Sequence, residues 1–420
     1  MKAVILAGGK NSRFWPLGHD RHKSMYEVGA GKPVIFYTLQ EAKKAGLEKP
    51  IIVSRYTDLS IRNHPAINQA EVHFAIQAQP LGMGNALLSA GNFLKDNGYF
   101  FVMDPNHINS ADVIEGIKKL LHEKRNAKAI LVGQKTVTPW RFGVIEADGN
   151  RVLSVEEKPA SPKSNIRVVG IYCFGRYFLE YLKRFDGEYG LESAINHFAQ
   201  ETNEVYFSLI PENRILPSLK YPWELLWINR LLMDRDFKKP AYDCQAAGVD
   251  IQGHVIMGNN VRFLGRASIK GPCYIGNDVV VGDYAVIRDH SLIGDGCVIG
   301  CKTEVKNSLL GHNVHTHDNF IGDSVIADGC RLGAGTIIAN RRNDRANIRS
   351  LVEGAKIDTG LISFGTIMGQ ESKAGINVSI MPGIKIGKRS MIGPQTLVGE
   401  DVKDDCLYYS TSAIIKKIIR

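Results

Sequence analysis

Two glycines, Gly8 and Gly9, follow the apolar run Val4–Leu6, and a guanidinium, Arg13, comes four residues later. Glycines let backbone amides approach a phosphate or a base closely, and arginine presents a permanently charged planar fork to phosphate oxygens. A tight structural turn accounts equally well for the glycine pair taken alone. A second concentration of chemistry is the trio His312, His315 and His317, three imidazoles within six residues. A neutral imidazole is a proton acceptor near physiological pH. The same trio also reads as a metal site or as a solvated loop. The seven cysteines are scattered, odd in number and without zinc-ligand spacing. They read as small buried residues in a reducing cytoplasm.

The elements that position these groups fall into two halves. In the second half every sixth residue is apolar: Ile251, Met257, Phe263, Ile269, Ile275, Val281, Ile287, Ile293, Ile299 and Val305. A new register runs Val314, Phe320, Ile326, Leu332 and Ile338, and a third runs Ile362, Met368, Ala374, Ile380, Ile386, Ile392 and Val398. Neither a helix nor an ordinary strand repeats on six. A three-sided coil with one hexapeptide per side does, each side sending one aliphatic residue into a shared core. A non-repeating insert, Arg341 to about Thr359, interrupts the pattern, and such inserts map to one face.

The first half alternates strands with amphipathic helices: strands Lys2–Leu6, Pro50–Ser54, Tyr99–Met103 and Ala127–Val132, and helices Val34–Ala45, Ala111–Lys124, Leu191–Glu201 and Pro222–Phe237. That alternation predicts a mostly parallel α/β sheet. The expected domains are 1–235, a linker 236–250, a solenoid 251–405 and a terminal cap or tail 406–420.

The string Leu6-Ala7-Gly8-Gly9-Lys10-Asn11-Ser12-Arg13-Phe14-Trp15-Pro16-Leu17 resembles the signature of sugar-1-phosphate nucleotidylyltransferases, L-A-G-G-x-G-T-R-x-x-P-L, with Asn11 and Ser12 replacing Gly and Thr. His22–Met25 resembles the P-K-P-M segment of that family, and Gln79–Ala86 its Q-P-x-G-T-A-x-A base-binding turn. Phe142-Gly143-Val144 and Glu156-Glu157-Lys158-Pro159 resemble its sugar-side Y-G-V and E-K-P segments; Gly170-Ile171-Tyr172 and Pro222-Trp223-Glu224 complete the set.

The resemblance spans residues 1–235 and implies a Rossmann-like α/β nucleotidyltransferase domain. It implies nucleotide contacts from Leu6, Ala7, Gly8, Gly9, Gln79 and Gly84, and sugar contacts from Gly143, Glu157 and Lys158. Arg13 would neutralise the triphosphate and Lys23 the developing charge, with Mg2+ on Asp104 or, in a shifted alignment, Asn106. The chain departs from the family at Met103 (for Gly), Ser218 (for a second Asp) and Val168 (for a sugar-binding Asn). Neutral ligands hold magnesium more weakly than carboxylates do, so a weakened, specialised or inactive site is the alternative.

The solenoid resembles the acetyltransferase half of archaeal-type bifunctional N-acetylglucosamine-1-phosphate uridylyltransferase/glucosamine-1-phosphate acetyltransferases, a left-handed parallel β-helix. The text that carries this is Gly333–Asn340, Gly375–Gly383 and Thr316–Asp323, the last resembling P-H-L-S-Y-x-G-D. By that resemblance His317 is the catalytic base, Arg288 and Lys306 bind the sugar phosphate, and Asn340 orients the amine or acetyl group. Acetyl-CoA is then a co-substrate. The insert arginines Arg341, Arg342, Arg345 and Arg349 are candidates for its phosphates or for a solvated loop. Phe320, Arg331 and Ala346 depart from the family's Tyr, Asn and Lys around the sugar pocket.

The net charge of +9 is spread along the chain without a nucleic-acid motif, and phosphorylated substrates account for it. No apolar run approaches the ~20 residues of a membrane span. The reading is a cytoplasmic bifunctional enzyme acting on a nucleoside triphosphate, a sugar-1-phosphate and acetyl-CoA, homotrimeric or a higher multiple as β-helices of this kind generally are. The alternatives are a nucleotidylyltransferase with a purely oligomerising β-helix, or a regulatory or scaffold subunit.

Overall fold

A computed structural model describes residues 1–18, 21–95, 98–187, 189–238 and 248–411. The expected linker and tail fall largely outside the described residues, as does Cys244. The chain divides into two units, one of Met1–Lys10 with Pro33–Ser218 and the other of Asn11–Lys32 with Leu219–Arg420.

The first unit is built on a nine-stranded sheet. Its strands are β1 (Lys2–Ala7), β2 (Ile51–Arg55), β3 (His73–Gln77), β4 (Tyr99–Met103), β5 (Ala129–Lys135), β6 (Gly143–Asp148), β7 (Arg151–Glu157), β8 (Ile166–Gly175) and β9 (Val205–Ile210). They lie in the order β3-β2-β1-β4-β8-β5-β9-β7-β6. Helices α1 (Val34–Lys44), α2 (Met83–Ser89), α3 (Ala111–Glu123), α4 (Tyr177–Leu182) and α5 (Gly190–Thr202), with two one-turn helices at Leu59–Arg62 and Pro65–Asn68, belong to the same unit.

The sheet is mixed rather than mostly parallel. β1, β2, β3 and β4 pair in parallel, whereas β8 runs antiparallel to both β4 and β5. β6 and β7 form a hairpin whose turn places Gly149 at φ 61°. The Asp148-Gly149-Asn150 text supplies that left-handed turn, which a reading by strand–helix alternation passes over. The continuous apolar text of β1 and β4 reflects burial on both faces: Ala3–Ile5 and Phe100–Met103 are fully buried.

The second unit is a parallel β-helix. One face stacks Ile251, Ile269, Ile287 and Val305 in register, and a second stacks Tyr274-Ile275 on Leu292-Ile293 and Leu309-Leu310. Backbones on successive coils approach so closely that a Cβ on Gly300 would sit 2.4 Å from the His317 carbonyl. Glycine after an inward aliphatic residue is therefore a packing requirement here. The core is fully dry from Ile269 through Val305.

The period holds with two exceptions. Val305 pairs with Ile321, so Ile321 is fully buried and Phe320 turns outward to pair with Glu304 and Ile337. That coil is two residues shorter than those before it, which moves the inward position by one. Ile362, expected in the core, is 57% exposed; it lies beyond the insert, before the coil resumes at Thr366–Met368. The insert forms a hairpin, Arg349–Val352 with Ala355–Asp358. The third face is interrupted: its strands stop at Val298-Ile299 and resume at Arg331-Leu332, bridged only through His315.

Helix α6 (Glu224–Asp236), which the sequence suggests closes the first domain, groups with the β-helix. Asn229 donates to the His290 carbonyl at 2.6 Å and Asp234 meets His290 at 2.7 Å. Residues 11–32 belong to this unit as well. Trp15 donates to Asp404 at 3.0 Å, Arg21 pairs with Asp328 at 3.1 Å, and Gly31, at φ 66°, leaves no room for a Cβ beneath the Tyr274 ring.

Candidate active sites

In the first unit the two glycine turns meet through one side chain. Gly8 follows β1, and a Cβ there would lie 2.3 Å from Gln77 Oε1. Gln77, buried at the end of β3, donates to the Gly82 carbonyl at 3.1 Å and to Asn85 at 3.0 Å. Gln77 thus ties the Gly8 turn to the turn that starts α2. Gln79, the glutamine singled out from sequence, is exposed. The two are two residues apart in Gln77-Ala78-Gln79, and only the strand end tells them apart. Gly82 adopts φ 99°. Gly84 is buried, and a Cβ there would stand 3.2 Å from the Leu191 amide and 3.3 Å from Leu182, so close helix packing explains this glycine. Leu6 and Ala7 form the buried floor at the end of β1.

The sugar-side segments converge around Asp104, just past β4. Gly170, at a bulge in β8, lies directly under its carboxylate: a Cβ would be 2.3 Å from Asp104 Oδ2. His107, fully buried, donates to the Gly170 carbonyl at 2.8 Å, and burial lowers its pKa, which keeps it neutral. Gly143 pairs with Glu157, and a Cβ on Gly143 would meet Glu157 Oε2 at 2.9 Å. Lys158, in the left-handed region at φ 46°, approaches Glu157 at 3.4 Å.

Sequence reasoning missed Glu192, in the first turn of α5. Its pKa is raised to about 7, first by burial and then by the like charges of Glu157 and Asp104. Its Oε2 is buried without a hydrogen-bond partner among the described residues. Asn106 is buried and spends its amide on the Pro217 carbonyl at 2.7 Å. Among the described residues no group of three or more His, Cys, Asp or Glu is placed to hold a metal. Arg13 and Lys23 lie in the second unit. Arg13 is half exposed, 3.6 Å from Glu353 at the hairpin tip, and Ser12 donates to the same carboxylate at 2.8 Å. Lys23 opens the 3-10 turn Lys23–Met25.

In the β-helix, register stacks Arg288 on Lys306 on Gly322. Arg288 is held by Glu304 at 2.7 Å. Asp323, almost fully buried, receives Lys306 at 3.2 Å, Asn307 at 2.7 Å and Asn340 at 2.5 Å. This hub was legible only as the last letter of a motif. His317 is exposed at the corner before the strand Phe320–Gly322, and its backbone is pinned by Asn319 at 2.8 Å and by Thr303.

The other two histidines differ. His312 joins a ladder of corner side chains running from Asn277 through Asp295 to Asp328, and Glu27 at 3.5 Å raises its pKa. His315 carries the bridge across the interrupted face. In the insert Arg341 is tied to Ser363 at 2.8 Å and Arg342 to Asp344. Arg345 and Arg349 make no ion pair among the described residues.

A glycine turn at the end of a parallel strand, with carboxyls on neighbouring strands, followed by a hexapeptide β-helix with a cationic, imidazole-bearing face, defines a class: a nucleotidyltransferase joined to a hexapeptide transferase. Residues 2–209 match the nucleotidyl transferase family, and residues 272–307 match the bacterial transferase hexapeptide family of six repeats. The chain is 31% identical over 426 residues to a bifunctional protein GlmU of Methanococcus aeolicus, covering 100% of both chains. It is 30% identical to that of Methanococcus vannielii, covering 99% of this chain and 100% of the relative. It is also 30% identical to a bifunctional sugar-1-phosphate nucleotidylyltransferase/acetyltransferase of Sulfurisphaera tokodaii, covering 96% and 98%. The chain belongs to this family of bifunctional nucleotidyltransferase–acetyltransferase enzymes. No helix of the described residues is long and apolar enough to cross a membrane.

Proposed function

We propose that the chain acetylates an amino-sugar-1-phosphate in its β-helix and couples the product to UTP or dTTP in its α/β unit. The observation that supports this reading is a pair of side-chain clusters in one chain: Asp104 seated over Gly170, and Lys306 with Asn340 bonded to Asp323.

In the α/β unit a sugar-phosphate oxygen attacks the α-phosphorus, the bond to the β-phosphate breaks, and pyrophosphate leaves. The protein contributes position and charge. Gly8 and Gly9 admit the triphosphate, Gln77 holds the two glycine turns in place, and Glu157 and Lys158 orient the sugar. Arg13 neutralises the triphosphate; its exposed pair with Glu353 is worth at most about 1 kcal/mol and yields to a stronger anion. Asp104 fits as one magnesium ligand; Asn106 donates its amide N–H to the Pro217 carbonyl, which leaves its own carbonyl oxygen as the second candidate. A single carboxylate suffices for an ion that takes its other oxygens from phosphates and water, and Mg2+ when bound offsets triphosphate charge.

In the β-helix His317 takes a proton from the sugar amine as its nitrogen bonds to the acetyl carbon. The thioester carbon–sulfur bond breaks and coenzyme A leaves as the thiol. Arg288 and Lys306 receive the sugar phosphate, and Asn340, its amide fixed on Asp323, offers its carbonyl to the amine. Arg345 and Arg349 are the insert cations open to coenzyme A phosphates. A homotrimer would seat acetyl-CoA between neighbouring coils.

Pyrophosphate and thiol release, assayed on one preparation with a panel of sugar-1-phosphates, test both halves. Arg13→Ala should lower pyrophosphate release about 100-fold and spare thiol release. His317→Ala should do the reverse, by about 10²–10⁴-fold. Well-folded wild-type protein that releases neither product from any pair would sink the reading.

A further inference from the structure

Between the end of α2 and the start of α4 lies a cleft of about 520 Å3, within the range of small-molecule sites. None of Gly8, Gln77, Asp104, Glu157 and Glu192 lines it. Its walls carry three cations: Lys95, Arg176 and Lys183. Lys183 is neutralised by Glu180, which it contacts at 2.8 and 2.7 Å. Lys95 and Arg176 form no ion pair and no side-chain hydrogen bond among the described residues. Two cations without a counter-ion among the described residues therefore line one cavity.

The Tyr177 ring, which also lines the cleft, is 61% exposed, and its centroid lies 6.4 Å from that of Phe198 in a tilted arrangement. Leu88 and Leu179 supply an apolar floor. A guanidinium and an ammonium beside an open aromatic face suit a phosphoryl group attached to a flat ring.

We propose that this cleft is a second small-molecule site, for a phosphorylated compound carrying a flat ring, with its phosphate on Lys95 and Arg176 and its ring on Tyr177. The site is separate from the sugar and nucleotide contacts above and stands whichever sugar-1-phosphate the enzyme uses.

Equilibrium dialysis of the full chain against uridine 5′-monophosphate tests it, because that probe carries both halves of the expected ligand. The Lys95→Glu/Arg176→Glu double variant should bind one molecule fewer per chain than the wild type, with affinity at that site lowered at least about 100-fold. Both side chains are solvent-facing, so an unchanged melting temperature and unchanged pyrophosphate release would show the variant intact. Tyr177→Ala should weaken the same site roughly tenfold by removing the stacking face. Inorganic phosphate should compete weakly for it. An equal number of bound molecules in the wild type and the double variant overturns the proposal. So does a Tyr177→Ala affinity equal to wild type, which would leave only a nonspecific cationic patch.

Discussion

The two sites handle buried charge in opposite ways. In the β-helix one buried carboxylate, Asp323, receives three donors, from Lys306, Asn307 and Asn340. In the α/β unit Glu192 lies close enough to Asp104 and Glu157 for their charges to raise its proton affinity, and the nearby cation Lys158 approaches Glu157 at 3.4 Å. The solenoid explains the first arrangement. Stacked coils put side chains from successive repeats side by side, so complementary donors and acceptors satisfy one another before any ligand arrives. The α/β site is assembled from strand ends and helix starts distant in sequence. It gathers carboxyls whose natural complement is a cation or the hydroxyl donors of a sugar. One cluster is satisfied within the protein; the other keeps a buried carboxyl oxygen without a partner among the described residues.

The contrast breaks most severely if the α/β carboxyls are displaced. In Gly170→Ala the new Cβ would lie 2.3 Å from Asp104 Oδ2, and the carboxylate must move. A shift of about 1 Å in a catalytic group costs about 100-fold, so kcat/KM for pyrophosphate release should fall by about two orders of magnitude. Thiol release should not change. Equal losses in both assays would mean that the variant unfolds and that the carboxylate's position was never tested.

A second variant probes the other side. Asp323→Asn keeps the shape of the hub and deletes its charge, leaving Lys306 without its counter-ion. Lys306 is about one-fifth exposed and Asp323 nearly buried, so the loss should approach about 2–3 kcal/mol of stability, at the low end for a broken buried pair. The melting temperature should drop, and KM for the amino-sugar-1-phosphate should rise about tenfold because Lys306 is no longer held in place. A melting temperature equal to wild type would show that the hub is not the pre-formed network described above.

How much of this was legible in the sequence differs between the sites for the same reason. The β-helix core could be read residue by residue because each inward position is fixed by a local repeat. The reading slipped only at Phe320 and Ile362, where a coil shortens or the insert re-enters, both of which change phase without changing composition. The glycine turn at Gly8 was legible because it directly follows a buried strand. Glu192 was not, since its significance lies in a meeting with Glu157 and Asp104 that no spacing encodes. Gln77 and Gln79 were indistinguishable until the end of β3 was located. The grouping of residues 11–32 with the β-helix rests on contacts such as Arg21–Asp328, which join positions more than three hundred residues apart and leave no periodic trace.

The smallest expected effect is also the one that isolates the unsatisfied charge. Glu192 has a folded-state pKa of about 7 against an ordinary value of 4.5. A carboxyl with a raised folded pKa favours the folded state fully below the unfolded value, and that contribution is lost as pH rises through the folded one. Between about pH 4.5 and pH 7, then, ionising Glu192 progressively destabilises the α/β unit, and above pH 7 the loss is complete. Glu192→Gln keeps the shape and cannot ionise. At pH 8 it should be more stable than wild type by about 1–2 kcal/mol, after discounting the shift for residual solvent at the site. At pH 4 the two should melt together, because the wild-type carboxyl is then protonated in both states. Saturating sugar-1-phosphate with Mg2+ should shrink the difference at pH 8, since a bound cation or donor supplies what Glu192 lacks. A difference that is the same at pH 4 and pH 8 would assign the effect to packing and would remove the charge asymmetry between the two sites.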